Sequence, residues 1–123
     1  MGKIKITVGE ISIEAELKDT KLANKILEAL PLEGVANTWG YEIYFSIPIE
    51  AKAEHPRKSV KIGDLAYWPP GNAFCLFYGR TPISATDEEI LPASEVEVIG
   101  KMKRGFEKLK KVRSGQLVKI EKA

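Results

Sequence analysis

Residues 61–79 read KIGDLAYWPPGNAFCLFYG, and this stretch carries the most direct information about the fold class. It contains two short apolar runs, LAYW and AFCLFY, on either side of the turn-forming residues PPGN. Runs of this length suit strands better than helices, and the lack of polar positions within them indicates strands that are buried on both faces. Pro70 and Gly71 match the second and third positions of a type II turn, where the third residue has a positive φ. The stretch therefore predicts two central strands with a tight connection.

The other segments predict further short strands and little helix. Residues 3–17 alternate charged and apolar positions on either side of a glycine, which is the pattern of a β-hairpin. Apolar residues at helical spacing predict a helix over 20–30, which the following proline would end. Strands are expected at 96–99 and 116–122, and a short helix at 103–112. Seven or eight strands with one or two helices are typical of a barrel or a sandwich.

Residues 41–47 alternate between two kinds of side chain. The odd positions, which include Tyr41 and Phe45, are aromatic or aliphatic and are expected to face the core. The even positions include Glu42 and Tyr44 and are expected to face the other side of the strand. The strand therefore predicts an acidic and an aromatic side chain outside the main core.

Length and composition exclude several classes of protein. A chain of 123 residues, 44% hydrophobic and without a linker-like segment, is expected to form a single domain over 1–123. Its longest apolar run, AFCLFY, is far shorter than the roughly 20 residues of a membrane-spanning helix. The N-terminus alternates basic and apolar residues and lacks a signal-like apolar stretch, so a cytoplasmic protein without a membrane partner is expected. The abundance of Lys and Glu is typical of heat-adapted proteins.

The chain has one cysteine, Cys75, and one histidine, His55. This count excludes an internal disulfide and a classical zinc cage, and neither a metal nor another cofactor is expected. Cys75 lies within an apolar run and is interpreted as a small buried side chain. His55 lies in the polar segment 49–60, which is interpreted as a surface loop, and a second loop is expected over 80–92.

Nine of the ten aromatic residues lie within residues 39–78. Neighbouring rings such as Tyr67 and Trp68 face opposite sides of their strand, so some rings must lie outside the main core. Aromatic walls with a few polar groups are typical of ligand sites, and core filling is the alternative interpretation for most of these rings. The candidate ligand-binding residues are Asn37, Trp39, Glu42, Tyr44, Tyr67, Trp68, Asn72 and Phe74. All but the first two are expected to converge on one concave patch.

Three segments together resemble a known family. They are GVANTWGYEIYFSIP at 34–48, the stretch at 61–79, and VIGKMKRGFEKLKKV at 98–112. They are similar to the small cyclophilin-like domain family of bacteria and archaea, and the resemblance covers nearly the whole chain. It implies a mainly β fold, a closed eight-stranded cyclophilin-like β-barrel with one or two flanking helices.

The likeness to the cyclophilins that isomerise X-Pro bonds is smaller. Their catalytic segment has the pattern FHRIIPGFMxQGG. When the prolines are aligned, IYFSIP at 43–48 takes its place, Phe45 falls at the catalytic arginine, and IEA follows instead of FMxQ. Phe74 falls near the substrate-lining phenylalanine. An arginine donates charge-assisted hydrogen bonds to the twisting amide and a phenylalanine does not. The resemblance therefore implies a poor isomerase, unless Arg57 reaches the site from its loop.

Three functions are compatible with the sequence. The first is binding of a peptide segment or a small molecule in the aromatic cleft. The second is an enzyme, with prolyl isomerisation as the named candidate. One His and no nucleophile motif leave no evident hydrolase triad, and Glu42, whose pKa surrounding rings would raise, is a separate candidate as a lone general acid. The third is nucleic-acid binding through residues 101–113, which include seven Lys and Arg. Such a segment is ordinarily the solvated face of a helix, and a net charge of +2 is too balanced to indicate a nucleic-acid partner.

Overall fold

The structure is a computed structural model that describes residues 2–123. It contains one α-helix, α1 (Lys21–Ala29), and two short 3₁₀ helices, Pro69–Gly71 and Phe106–Lys111. In chain order the strands are β1 (Gly2–Val8), β2 (Ile11–Leu17), β3 (Leu32–Val35), β4 (Asn37–Trp39), β5 (Glu42–Ser46), β6 (Asp64–Trp68), β7 (Ala73–Phe77), β8 (Glu97–Met102) and β9 (Leu117–Lys122). The mainly β class is confirmed, with nine strands over residues 2–123 where eight were expected.

All nine strands belong to one sheet, in the order β3-β9-β1-β2-β8-β6-β7-β5-β4. The two edge strands, β3 and β4, follow each other in the chain with only Ala36 between them. The sheet therefore has to curl until its edges approach each other. The Ala36 N–H donates to the carbonyl oxygen of Gln116 at 2.8 Å, and the Thr38 N–H donates to Ser114 Oγ at 3.0 Å. The result is a nearly closed barrel.

The interior of the barrel is filled by the inward-facing residues of the alternating strands. In the hairpin of β1 and β2, Ile6 pairs with Ile13 and both side chains are buried, which confirms the pattern predicted from alternation. Helix α1 adds its apolar face to this core. Thr20 caps the helix, because its Oγ1 accepts a hydrogen bond from the Ala23 N–H at 3.2 Å.

A second apolar cluster lies on the outer face of the sheet. Its buried members are Val60, Ala66, Ala73, Cys75, Phe77, Ile90, Val96 and Val98. The loops before β6 and before β8 cover this face, and the backbones of Val60 and Ile90 join them through two hydrogen bonds of 2.8 and 2.9 Å. β7 is consequently buried along its whole length and β6 at its three central residues, as the sequence predicted.

Tyr41 was expected to face the core, and this prediction was wrong. β5 begins at Glu42, and Tyr41 shares a two-residue loop with Gly40, so that it is 44% exposed. Its ring packs against Tyr78, with the ring centroids 5.8 Å apart, and Lys110 Nζ lies 5.0 Å from its ring centre. The predicted alternation therefore holds only from the first residue of β5 onward.

The connection between β6 and β7 is short as predicted, but it is not a type II turn. Pro69–Gly71 forms a 3₁₀ helix, and the residue with a positive φ is Asn72 (φ 49°) instead of Gly71. Two successive prolines fix φ at about −65°, which suits a 3₁₀ helix, and the residue in the left-handed conformation is therefore one position further along the chain. Gly71 is needed for a different reason, since a Cβ there would lie 2.8 Å from a ring carbon of Trp68.

The C-terminal part of the chain follows the prediction with small shifts. The strands expected at 96–99 and 116–122 correspond to β8 and β9. The short helix expected at 103–112 is a 3₁₀ helix over Phe106–Lys111, with Leu109 buried against the inner core. Over the described residues, no helix combines the length and apolar character that crossing a bilayer requires.

Candidate functional site

A cavity of about 270 Å³ opens on the outer face of the sheet, beside the second apolar cluster. Its walls are Trp39, Glu42, Tyr44, Trp68, Pro92, Ala93 and Val96. The first four are among the candidate residues predicted from the sequence. The other three precede β8, and they were missed because the sequence does not show which residues fold over the outer face of the sheet.

The strand register brings the four predicted wall residues together. Trp39 and Glu42 are directly opposed in the antiparallel pair of β4 and β5, and directly opposed residues have their side chains on one face. Tyr44 is two positions beyond Glu42 and therefore shares that face. Trp68 reaches the same side from β6, which is separated from β5 by β7. Three strands thus supply a fixed aromatic wall.

Trp68 is held in place by two contacts. Its indole Nε1–H donates to Ser94 Oγ at 2.7 Å, which fixes the ring to the loop before β8. Its ring also lies directly over Gly71, at a distance that leaves no space for a Cβ. The ring therefore joins the β6–β7 connection to the loop that closes the cavity.

Glu42 is the one acidic side chain on the cavity wall, and it is only 6% exposed. Burial raises the pKa of Glu42 to about 7, and a hydrogen bond with the Cys75 thiol offsets this in part by lowering the pKa. The ion pairs among residues 2–123 are Lys5–Glu121, Arg80–Asp87 and Lys119–Glu121, so none of them neutralises this carboxyl. Glu42 is therefore a carboxyl whose protonation changes near neutral pH.

Tyr67 and Phe74 do not belong to the cavity, and the expectation that they converge with Glu42 was wrong. They pair with each other across β6 and β7 on the inner face, and both are fully buried in the barrel. The Tyr67 hydroxyl donates to the carbonyl oxygen of Ile49. Because both strands are apolar on each face, the sequence did not reveal which of their residues point inward.

Asn72 and Asn37 also lie outside the cavity. Asn72 lines a separate depression, where its Oδ1 is 3.2 Å from the Tyr67 hydroxyl. Asn37 is exposed, and its side-chain amide donates to the carbonyl oxygens of Tyr44 at 3.3 Å and Val35 at 3.4 Å. Of the eight candidate residues, four line the cavity and four have other roles.

Arg57 lines a different depression of about 120 Å³, together with His55 and Glu97. The Glu97 carboxylate there is buried and accepts a hydrogen bond from the Glu54 N–H at 2.6 Å. The seven basic side chains of residues 101–113 are all exposed, and none lines the aromatic cavity. In the part of the chain that the structure describes, no group of three or more His, Cys, Asp and Glu is placed to hold a metal ion.

Comparisons with known proteins agree with this architecture. The solution structure of a hypothetical protein from Archaeoglobus fulgidus is similar, with a TM-score of 0.82 and 40% identity over 99% of this chain and 95% of that one. The structure of McbB in complex with tryptophan has a TM-score of 0.71 and 14% identity, over 97% of this chain and 44% of that one, a likeness of fold alone. No curated protein matched. A family model described as cyclophilin-like matches residues 2–121, and the chain therefore belongs to the cyclophilin-like family.

Proposed function

We propose that the protein binds a small, mainly apolar molecule between Trp39, Tyr44 and Trp68. The observation that carries this proposal is that three aromatic side chains remain partly exposed while they line one cavity. Large aromatic side chains are normally used to fill cores. None of these three rings belongs to the barrel interior, and Tyr44 and Trp68 only flank the outer cluster. Part of each ring is therefore left to contact a ligand.

The size of the cavity favours a small molecule over a peptide segment. Sites for drug-sized ligands usually occupy about 300–1,000 Å³, and this cavity of about 270 Å³ lies just below that range. It would hold a compound of one or two rings, whereas a peptide would need an extended groove. Strand-borne walls are also largely preformed, so little ordering free energy is lost on binding.

Prolyl isomerisation is less well supported by the same residues. Catalysis of that kind uses a cationic donor to stabilise the twisting amide, and the cavity wall contains neither Arg nor Lys. Phe45, which aligns with the catalytic arginine of the isomerases, is 1% exposed and lies in the inner core. Arg57 contributes to another depression.

The proposal can be tested with indole as a neutral aromatic probe. The chain contains two tryptophans and both line the cavity, so the two indole Nε1–H signals of ¹⁵N-labelled protein report binding directly. We expect both signals to shift in a saturable manner as indole is added. Trp39→Ala should weaken binding, judged by the signal of Trp68. Leu117→Ala, which removes an exposed apolar side chain on β9 outside the cavity, is the control and should bind indole normally.

Unsaturable or absent shifts up to the solubility limit of indole would count against a ligand site. Equal weakening by the Leu117 and Trp39 variants would indicate a general loss of structure and not the loss of a cavity wall.

A further inference from the structure

The charge on the cavity wall is unbalanced. Glu42 is the one carboxyl there, and the remaining walls are aromatic or aliphatic. The ion pairs within residues 2–123 leave this carboxyl without a basic partner. A buried carboxylate is costly unless it is paired with a cation or accepts several hydrogen bonds. Glu42 would therefore gain a partner from a ligand that brings a positive charge into the cavity.

The aromatic walls suit the same kind of ligand. The faces of Trp and Tyr rings carry negative electrostatic potential and attract ammonium groups, and recognition of ammonium ligands by several such rings is a common use of this effect. Trp39 is directly opposite Glu42 across β4 and β5, and Tyr44 is two positions along the same strand, on the same face. A group placed against the carboxyl would thus lie next to aromatic rings.

We propose that the natural ligand is a protonated organic amine, with Glu42 as its counter-ion and the rings of Trp39, Tyr44 and Trp68 around its apolar part. This inference rests on the proposed function of the cavity and adds the chemical class of the ligand. It excludes carboxylates and phosphates as preferred ligands, because the cavity wall offers them no cation and would place them beside Glu42.

The titratable groups around Glu42 make binding depend on pH in a defined direction. Cys75 on β7 and Tyr78, which directly follows β7, are neutral near physiological pH. Burial raises the pKa of the Cys75 thiol, and burial, Tyr41 and Glu42 together raise the pKa of Tyr78 to about 12. Only Glu42, whose pKa burial raises to about 7, changes its charge near neutrality. Amine binding should strengthen as pH rises through that value, and it should release a proton.

The experiment compares three probes of similar shape: phenethylamine, 2-phenylethanol and 3-phenylpropionate. Binding is followed at about pH 8, where Glu42 is ionised and phenethylamine is still a cation, through the indole Nε1–H signals of ¹⁵N-labelled protein. We expect the amine to bind at least about tenfold more tightly than the alcohol, as a charge-assisted hydrogen bond would provide. The carboxylate should bind more weakly than the alcohol.

Glu42→Gln keeps the shape of the side chain and removes its charge, so it should abolish the preference for the amine while the alcohol still binds. Glu33→Gln removes an equal charge from an exposed position on β3 and is the matched control. It should retain the preference.

Equal affinities for the amine and the alcohol in the unmodified protein would overturn this inference and leave the proposed function intact. Retention of the amine preference in Glu42→Gln would also overturn it, because the cation would then be bound elsewhere. If none of the three probes and no neutral ring compound binds, the cavity is not a ligand site and both proposals fail.

Discussion

Trp39 and Glu42 are directly opposed across β4 and β5, and both side chains line the same cavity. The loop between them has two residues, and its first, Gly40, has a φ of 60°. A positive φ at the first loop position is the pattern of a type II′ turn, in which glycine is preferred. A Cβ on Gly40 would also lie 2.8 Å from the carbonyl oxygen of Arg80. The hairpin turn therefore sets the position of the ring relative to the carboxyl.

The first prediction concerns the cost of ionising Glu42. Burial raises its pKa from 4.5 to about 7, so between these values the folded chain retains a proton that the unfolded chain has released. The free energy of unfolding should therefore fall as pH rises from about 4.5 to about 7, by about 3 kcal/mol at most, and level off above that range. The free energy of unfolding of Glu42→Gln should not fall in this way, because glutamine does not ionise.

Urea denaturation of both proteins at about pH 4.5 and about pH 8 measures this difference. We expect the stability of Glu42→Gln relative to the unmodified chain to increase with pH, while Glu33→Gln follows the unmodified chain. Parallel pH profiles for Glu42→Gln and the unmodified protein would show that the carboxyl is ionised at little cost.

The second prediction concerns the packing of the Trp68 ring against Gly71. In Gly71→Ala the new Cβ would lie 2.8 and 2.9 Å from two ring carbons of Trp68, which is closer than contact distance, so the ring must move. We expect the indole Nε1–H signal of Trp68 to shift while that of Trp39 stays in place, with a loss of about 1 kcal/mol in stability. Ser94→Ala removes the hydrogen-bond acceptor of Trp68 without adding volume and shows what loss of that bond does alone. An unchanged Trp68 signal in Gly71→Ala would contradict the close packing of ring and turn.

Much of the barrel follows from alternation, and the reason is visible in particular strands. β1 and β2 each have one charged and one apolar face, so the phase of the alternation fixes which residues are inside. β5 shows the same pattern from Glu42 to Ser46, which placed Glu42 and Tyr44 correctly outside the core. Tyr41 was assigned wrongly because alternation alone does not show where a strand begins and its turn ends.

In β6 and β7 no alternation of polar and apolar residues shows which side chains point into the barrel. Both faces are apolar because one faces the barrel and the other faces the outer cluster, so Tyr67 and Trp68 look equally suited to either side. The outer cluster exists because Val60 and Ile90 bring two distant loops together. That tertiary contact also positions the loop containing Pro92 and Ala93. No local sequence pattern predicts this contact between loops, and the three lining residues Pro92, Ala93 and Val96 were therefore missed.

The third prediction concerns the left-handed residue of the β6–β7 connection. Asn72 has a φ of 49°, a conformation that glycine adopts freely, asparagine tolerates and alanine adopts at a cost of about 1–2 kcal/mol. Asn72→Ala should therefore be less stable than Asn72→Gly by about 1 kcal/mol. Both variants lose the contact with the Tyr67 hydroxyl, so their comparison isolates the backbone effect. Equal urea midpoints would mean that the connection relaxes to another conformation.

The fourth prediction concerns Cys75. The thiol is 1% exposed, and burial together with the neighbouring Glu42 raises its pKa, so thiolate is scarce. A thiol-specific reagent should leave the folded protein unmodified over the time in which it labels the same protein completely in urea. Rapid labelling of the folded protein would show that the outer cluster opens readily, since the reagent reaches the sulfur only when the covering loops move.

The fifth prediction concerns prolyl isomerisation. Phe45 lies within the barrel, with its ring centroid 5.8 Å from that of Phe74, and the cavity wall supplies no cation to a twisting amide. A standard X-Pro peptide assay should therefore show no acceleration above the uncatalysed rate, while an ordinary cyclophilin in the same assay provides the positive control. Phe45→Arg should not create activity, because it would bury an unpaired charge in the core and unfold the barrel.

A rate near that of the control enzyme would mean that a donor reaches the peptide from outside the cavity wall. Arg57 is the first residue to examine, and loss of that rate in Arg57→Ala would identify it.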